Sequence, residues 1–310
     1  MIGGMKHIDD RANEAAASEG ATSKYAASNG AVPDAAAPNP AASGASAPAQ
    51  PRRRWPRRLA IALTTLAVLL FVGAGAFLVY ASDYYHAGTS AQAALTSTPE
   101  TPVVQGDGFV AFGDPDASTG IVLYPGAKVE YTAYAPLARE LAKQGYFTVI
   151  TEMPFNFAFF GIDAAGRVRD AYPQVKSWWV GGHSLGGSMA AQYAATHASD
   201  PALAGLVLLG AYTASDLSAT DLGVISVYGS NDQVLNRSKM ADSAPLLPPD
   251  ARTVKIPGGN HALFGDYGAQ SGDGVATITP TDQQQKTASI IDAYLTAREN
   301  PNPTALPAAA

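Results

Sequence analysis

The 310-residue chain carries 20 Lys or Arg against 26 Asp or Glu, and it has no cysteine. That absence excludes disulfides, thiolate nucleophiles, cysteine-based zinc sites and lipid attachment at cysteine. Charge is uneven: eight basic and five acidic residues over 1–58, then twelve basic and twenty-one acidic over 59–310, an acidic globular part without a basic stripe that argues against nucleic-acid binding.

Residues 1–50 are mostly Ala, Ser, Gly, Asn and Pro, with Tyr25 the only aromatic. Such a segment buries too little apolar surface to offset chain entropy, so 1–58 is expected to be a disordered tail. It ends on Arg52, Arg53, Arg54, Arg57 and Arg58. Leu59 to Ala81 then runs 23 residues without a charge. A helix of that length spans roughly 34 Å, enough to cross a hydrocarbon core. No further Lys or Arg occurs before Lys128, so the positive-inside rule places the tail in the cytoplasm and the rest of the chain beyond the cell membrane. Val79-Tyr80-Ala81 has the look of a processing site, but the apolar run is longer than a cleaved signal peptide needs, and a retained single-pass signal anchor at 59–81 is expected. Residues 82–105, with Gly, Ser, Thr and two prolines, read as a stalk.

From Gly106 onward one domain is expected, ending near residue 300, with a disordered C-terminus over 301–310. Six short apolar runs predict buried strands: Ile121–Tyr124, Tyr146–Thr151, Trp178–Val180, Leu203–Leu209, Val224–Tyr228 and Arg252–Ile256. Tyr134, Leu137, Ala138 and Leu141 recur at helical spacing before Gly145, and Ala288, Ile291, Leu295 and Arg298 do so before Pro301. Strands alternating with helices predict an α/β fold with a mostly parallel central sheet flanked by helices. Sites in such sheets form at the carboxyl ends of strands.

After the third of these runs stands Gly181-Gly182-His183-Ser184-Leu185-Gly186-Gly187, a G-x-S-x-G pattern between a strand and a helix. A serine on so sharp a turn is strained, and its neighbours two residues away must be small for strand and helix to pack. Ser184 is therefore the candidate nucleophile. A serine hydroxyl needs a base within hydrogen-bond reach. Of five histidines, His7 lies in the tail, His86 in the stalk, His183 inside the turn and His197 at the far end of the following helix, which leaves His261. It sits in a loop directly after the last predicted strand. The orienting acid should follow another strand between Ser184 and His261. Asp232 does so, whereas Asp216, Asp221, Asp242 and Asp250 do not; an Asp at that place can also cap a helix starting near Val234.

Gly182-His183-Ser184-Leu185-Gly186-Gly187, Tyr228-Gly229-Ser230-Asn231-Asp232 and Gly259-Asn260-His261 together resemble the α/β-hydrolase superfamily. The compact chain without a cap domain is similar to the bacterial group related to dienelactone hydrolases, though Ser184 stands where those enzymes carry cysteine. The resemblance implies a serine hydrolase with a Ser184, Asp232 and His261 triad acting on a small-molecule ester. It implies an oxyanion hole from the N–H of Leu185 and one from Tyr124-Pro125-Gly126-Ala127, where it points to Ala127 rather than Gly126. No cofactor is expected.

The aromatic run Met153 to Phe160 follows a strand, so Phe155, Phe157 and Phe159, with Tyr212, are candidate walls of a substrate pocket; core packing is the alternative. Turn chemistry accounts for Gly265-Asp266-Tyr267-Gly268 and Gly272-Asp273-Gly274, and no metal is expected there. Two other readings share the fold: an acyltransferase using the same triad on a cell-envelope acceptor, and an inert tethered binding module. Only Gly210 to Leu222 separates two predicted strands where a helical lid would be inserted. An open site suited to short acyl esters is expected. Oligomeric state is not legible.

Overall fold

The computed structural model describes residues 56–299; the expected tail and C-terminus lie almost entirely outside the described residues. Eight strands form one sheet: β1 (Val103–Gly106), β2 (Phe109–Phe112), β3 (Thr119–Tyr124), β4 (Phe147–Thr151), β5 (Ser177–His183), β6 (Leu203–Leu209), β7 (Gly223–Gly229) and β8 (Arg252–Ile256). Their order is β1-β2-β4-β3-β5-β6-β7-β8. β1 and β2 pair antiparallel, as do β2 and β4; all other pairs are parallel. The six predicted runs fall on the parallel strands β3 to β8, but β8, expected to be buried, is a largely exposed edge strand whose alternation with Arg252 and Lys255 fits that place.

β3 and β4 are buried along their whole length and β5 to β7 nearly so, as strands covered on both faces must be. One face carries α4 (Ala164–Ala171) and α5 (Leu185–Thr196), which pack Val168, Ala190, Ala191 and Ala194 on Val122, Val180 and Leu206. The other carries α3 (Ala135–Lys143) and α7 (Pro280–Glu299), with Leu137, Leu141, Ile291 and Leu295 on Ile121, Val207 and Ile225. Each Val, Leu or Ile among them contributes about 1.5–3 kcal/mol by leaving water. α3 stops where Gly145 takes φ 94°, a left-handed residue at the place its spacing predicts. Arg298 is only half-buried and ends its face in an ion pair with Asp250.

The N-terminal helix α1 (Arg57–Ser82) is long and apolar enough to cross a membrane. It is exposed from Arg57 to Ala76, and among the described residues it meets the domain from Phe77 to its end, where Ala81 is buried.

The stretch read as a stalk is packed into the domain. α2 (Thr89–Ala94) lies on α3, with Ala91 fully buried. Ala91 N–H donates to Asp266 Oδ2 at 2.7 Å, and Gly88 N–H donates to the Asp266 carbonyl at 2.7 Å. Tyr85 bridges to Val129, and Val103 opens β1. These interactions are long-range, so a linker-like composition does not disclose them.

Candidate active site

β5 ends in a turn whose steric demands are visible atom by atom. Ser184 has φ 53° and ψ −123°, a region that costs a non-glycine residue about 1–3 kcal/mol. Its N–H donates to the Leu209 carbonyl at 2.9 Å, tying the turn to the end of β6. A Cβ on Gly182 would stand 2.5 Å from the Gly186 carbonyl carbon, and one on Gly186 would stand 2.3 Å from the Pro125 carbonyl oxygen. The second contact is the informative one. It brings the start of α5 against the loop that leaves β3, so the peptide groups around Leu185 and Ala127 are neighbours.

Asp232 follows β7 and His261 follows β8, and both side chains are buried. His261 Nδ1 lies 2.8 Å from Asp232 Oδ2. The other carboxylate oxygen accepts the N–H groups of Val234 at 2.9 Å and Leu235 at 2.8 Å. Asp232 thus both faces the imidazole and organises the turn after it; the next helix, α6 (Arg237–Asp242), is capped by Asn236 instead. Nε2 of His261 is buried without a hydrogen-bond partner. A cavity of about 250 Å³ is lined by Ser184, Leu185, Gly210, Tyr212, Leu235 and His261 among others. The structure therefore pairs Asp232 with His261 and sets Ser184 in the same cavity, without a closed hydrogen bond from its hydroxyl to His261.

Around the loop leaving β3 the backbone donors are divided. Gly126 N–H donates to the Tyr134 hydroxyl at 2.9 Å, and Lys128 N–H donates to the Asn156 carbonyl at 2.8 Å. Among the described residues Ala127 N–H, between them, has no such acceptor. Leu185 is the first residue of α5, so its N–H has no carbonyl four residues back within the helix.

Three residues near this site take roles that the sequence does not assign to them. Tyr134 hydrogen-bonds Nδ1 of His183 at 2.8 Å as well as the Gly126 N–H. Burial, and then the neighbouring His261, hold the His183 imidazole well below its ordinary pKa, so it is neutral; burial pushes the Tyr134 phenol up, so it keeps its proton. The His183 and His261 rings stand 4.3 Å apart between centroids. Gly210, at φ 52°, is the third: a Cβ there would lie 2.9 Å from His261 Nδ1 and 3.2 Å from Asp232 Oδ2. A strand-terminal glycine is the one sequence feature that hints at it.

The aromatic run does not line this cavity as expected, although Tyr212 does. Phe155 and Asn156 adopt φ 56° and 58°, and across the two tight turns Pro154–Asn156 and Ala158–Phe160 the rings of Phe155, Phe159 and Phe160 are half-exposed while Phe157 is buried. Phe157 stacks on Tyr80 of α1. Elsewhere Asp266 and Asp273 commit their carboxylates to backbone N–H groups, and no cluster among the described residues has the makings of a metal site. Glu130 accepts Ala87 N–H and the Thr132 hydroxyl and lies 3.5 Å from His86, so it pairs locally.

A sequence model of the alpha/beta hydrolase family matches residues 120–286, just over half of the chain. No curated protein sequence matches significantly. Among solved structures, a bacterial membrane phospholipase A superposes with a TM-score of 0.49 at 15% identity, covering 78% of this chain and 98% of its own. A thermophilic esterase from Thermogutta terrifontis gives 0.47 at 14% identity, with 66% and 96% covered. A candidate dienelactone hydrolase from Klebsiella pneumoniae subsp. pneumoniae gives 0.45 at 17%, with 62% and 94% covered.

Proposed function

Because the chain belongs to the α/β-hydrolase family, we propose that it is a membrane-anchored serine hydrolase that cleaves carboxylic esters outside the cytoplasm. The observation that carries this reading is the buried Asp232–His261 pair, whose free Nε2 lines one cavity with a serine on a strained strand-to-helix turn.

In this reading Ser184 Oγ attacks the ester carbonyl carbon as its proton passes to His261 Nε2. Asp232 holds Nδ1 protonated, so Nε2 is the basic nitrogen, and it stabilises the imidazolium that forms. The carbonyl oxygen takes the negative charge and is received by the N–H groups of Leu185 and Ala127, donors fixed before the reaction begins. His261 then gives its proton to the departing alkoxide, leaving an acyl-serine and the alcohol. Water repeats the sequence, with His261 as base, and releases the acid. The neutral, tied-up His183 adds no positive charge beside His261 that would oppose imidazolium formation.

The connection from Gly210 to Leu222 contains no helix, and the cavity at Ser184 is small. Each CH₂ buried is worth only about 0.8 kcal/mol, so affinity should stop growing once that space is filled. On soluble p-nitrophenyl esters of graded length, kcat/KM should be highest at about two to six acyl carbons, the range a shallow site can cover. Addition of acceptor alcohols should not divert the acyl group from water. Failure to hydrolyse any ester, or an efficiency that climbs steadily to long chains, would contradict this account.

A further inference from the structure

We infer that Phe155, Phe159 and Phe160, together with Phe77 and Tyr80 of α1, form an aromatic foot that enters the headgroup boundary of the bilayer and seats the catalytic domain on it. This rests on the reading of α1 as a membrane span and goes beyond it, since an anchor alone leaves a domain free to swing.

The length of bare helix sets the level of the foot. α1 is exposed from Arg57 to Ala76, and at about 1.5 Å per residue that stretch covers about 30 Å, the thickness of a hydrocarbon core. Arg57 and Arg58 then stand at one boundary. Protein cover begins with Phe77 at the other, on one side of the helix, while Leu78, Val79 and Tyr80 stay exposed. There the Phe77 ring meets Phe155 edge-on at 5.5 Å and Phe160 at 5.8 Å, while Tyr80 stacks on Phe157 at 6.2 Å.

The three outward rings have no use for water. Phe155, Phe159 and Phe160 are 48%, 43% and 48% exposed, and Phe155 and Phe160 touch each other edge-on at 5.5 Å. No charged residue occurs from Met153 to Ile162. A contiguous aromatic patch of this kind marks an interaction surface, and its continuity with the bare face of α1 identifies the occupant as lipid. Tyr rings such as Tyr80 collect at the headgroup level, and Phe rings bury at the headgroup and acyl boundary just below it. The attachment is also braced. Lys128 Nζ sits 4.1 Å from the Tyr80 ring centroid and 3.3 Å from Asp83 Oδ2, and Lys128 N–H holds the Asn156 carbonyl inside the aromatic run. Lys128 directly follows Ala127, so the foot is hydrogen-bonded to the loop beside Ser184.

The chain has no cysteine, so single cysteines can be placed and labelled without background. The full chain is reconstituted into vesicles of phosphatidylcholine and phosphatidylglycerol, carrying an environment-sensitive NBD label at Phe159→Cys, Phe160→Cys, Leu70→Cys or Lys176→Cys. Lipids with nitroxides at shallow or deep positions serve as quenchers. The proposal expects Phe159→Cys and Phe160→Cys to be quenched most by the shallow nitroxide, Leu70→Cys most by the deep one, and exposed Lys176→Cys, at the opposite end of the sheet, by neither. Emission from Phe159→Cys and Phe160→Cys that stays water-like while Leu70→Cys is quenched overturns the seating and leaves the anchor intact. If Leu70→Cys also escapes quenching, anchor and seating fall together.

Discussion

Asp232 uses its two carboxylate oxygens differently, and the difference makes its substitution informative. Oδ1 holds the N–H groups of Val234 and Leu235, and Oδ2 faces His261 Nδ1. In Asp232→Asn the amide oxygen can keep the two backbone donors, which turns the NH₂ toward Nδ1 and places the imidazole proton on Nε2. The base is then blocked while the turn survives. Turnover should drop about 10⁴-fold with little change in thermal stability; near-native turnover in this variant would remove Asp232 from the chemistry. Tyr134→Phe tests the opposite kind of role. It leaves the Gly126 N–H and His183 Nδ1 buried without their partner, at about 1–3 kcal/mol each. A looser loop beside Ala127 should lower kcat by roughly ten-fold or more, less than loss of an oxyanion donor outright, while KM changes little. An unchanged kcat in a destabilised protein would make Tyr134 a packing residue only. The gathering of Ser184, Asp232 and His261 was legible because each follows a strand run; the contacts of Tyr134 and Gly210 were not, because they reach partners 8 to 51 residues away in sequence.

At the scale of elements, strands β3 to β7 could be read from their apolar runs, since burial on both faces leaves that mark; β8, expected to be buried, is an edge strand exposed over most of its length. β1 and β2 could not. They are four residues each, too short to show a period; β1 is largely exposed and reads like a linker, whereas β2 is apolar and buried at three of its four positions. α2 is six residues of Thr, Ser, Gln and Ala, too short to show a helical face, and it is held by the carboxylate and carbonyl of Asp266, far along the chain. The segment 82–105 is therefore expected to stabilise the domain. A chain beginning at Ser82 should melt roughly 6–12 °C above one beginning at Gly106, which corresponds to a loss of about 3 kcal/mol for a domain of this size. Equal melting temperatures in a calorimetric scan would restore the stalk reading.

Across the whole molecule, the parallel sheet gathers the loops after β3, β5, β6, β7 and β8 at one edge, and the cavity with Ser184 and His261 lies there. The aromatic turns after β4 leave the same edge and carry the contact with α1. One sheet end thus holds both the site and the attachment, an arrangement that no local pattern in the sequence discloses. The proposed reaction requires that Ser184 alone be activated for attack. It is tested most directly by treating the full chain with a fluorescent fluorophosphonate, which only an activated serine captures. The wild-type protein should label at a single position, Ser184 by peptide mapping, and Ser184→Ala should not label at all; labelling that persists in Ser184→Ala would contradict the account.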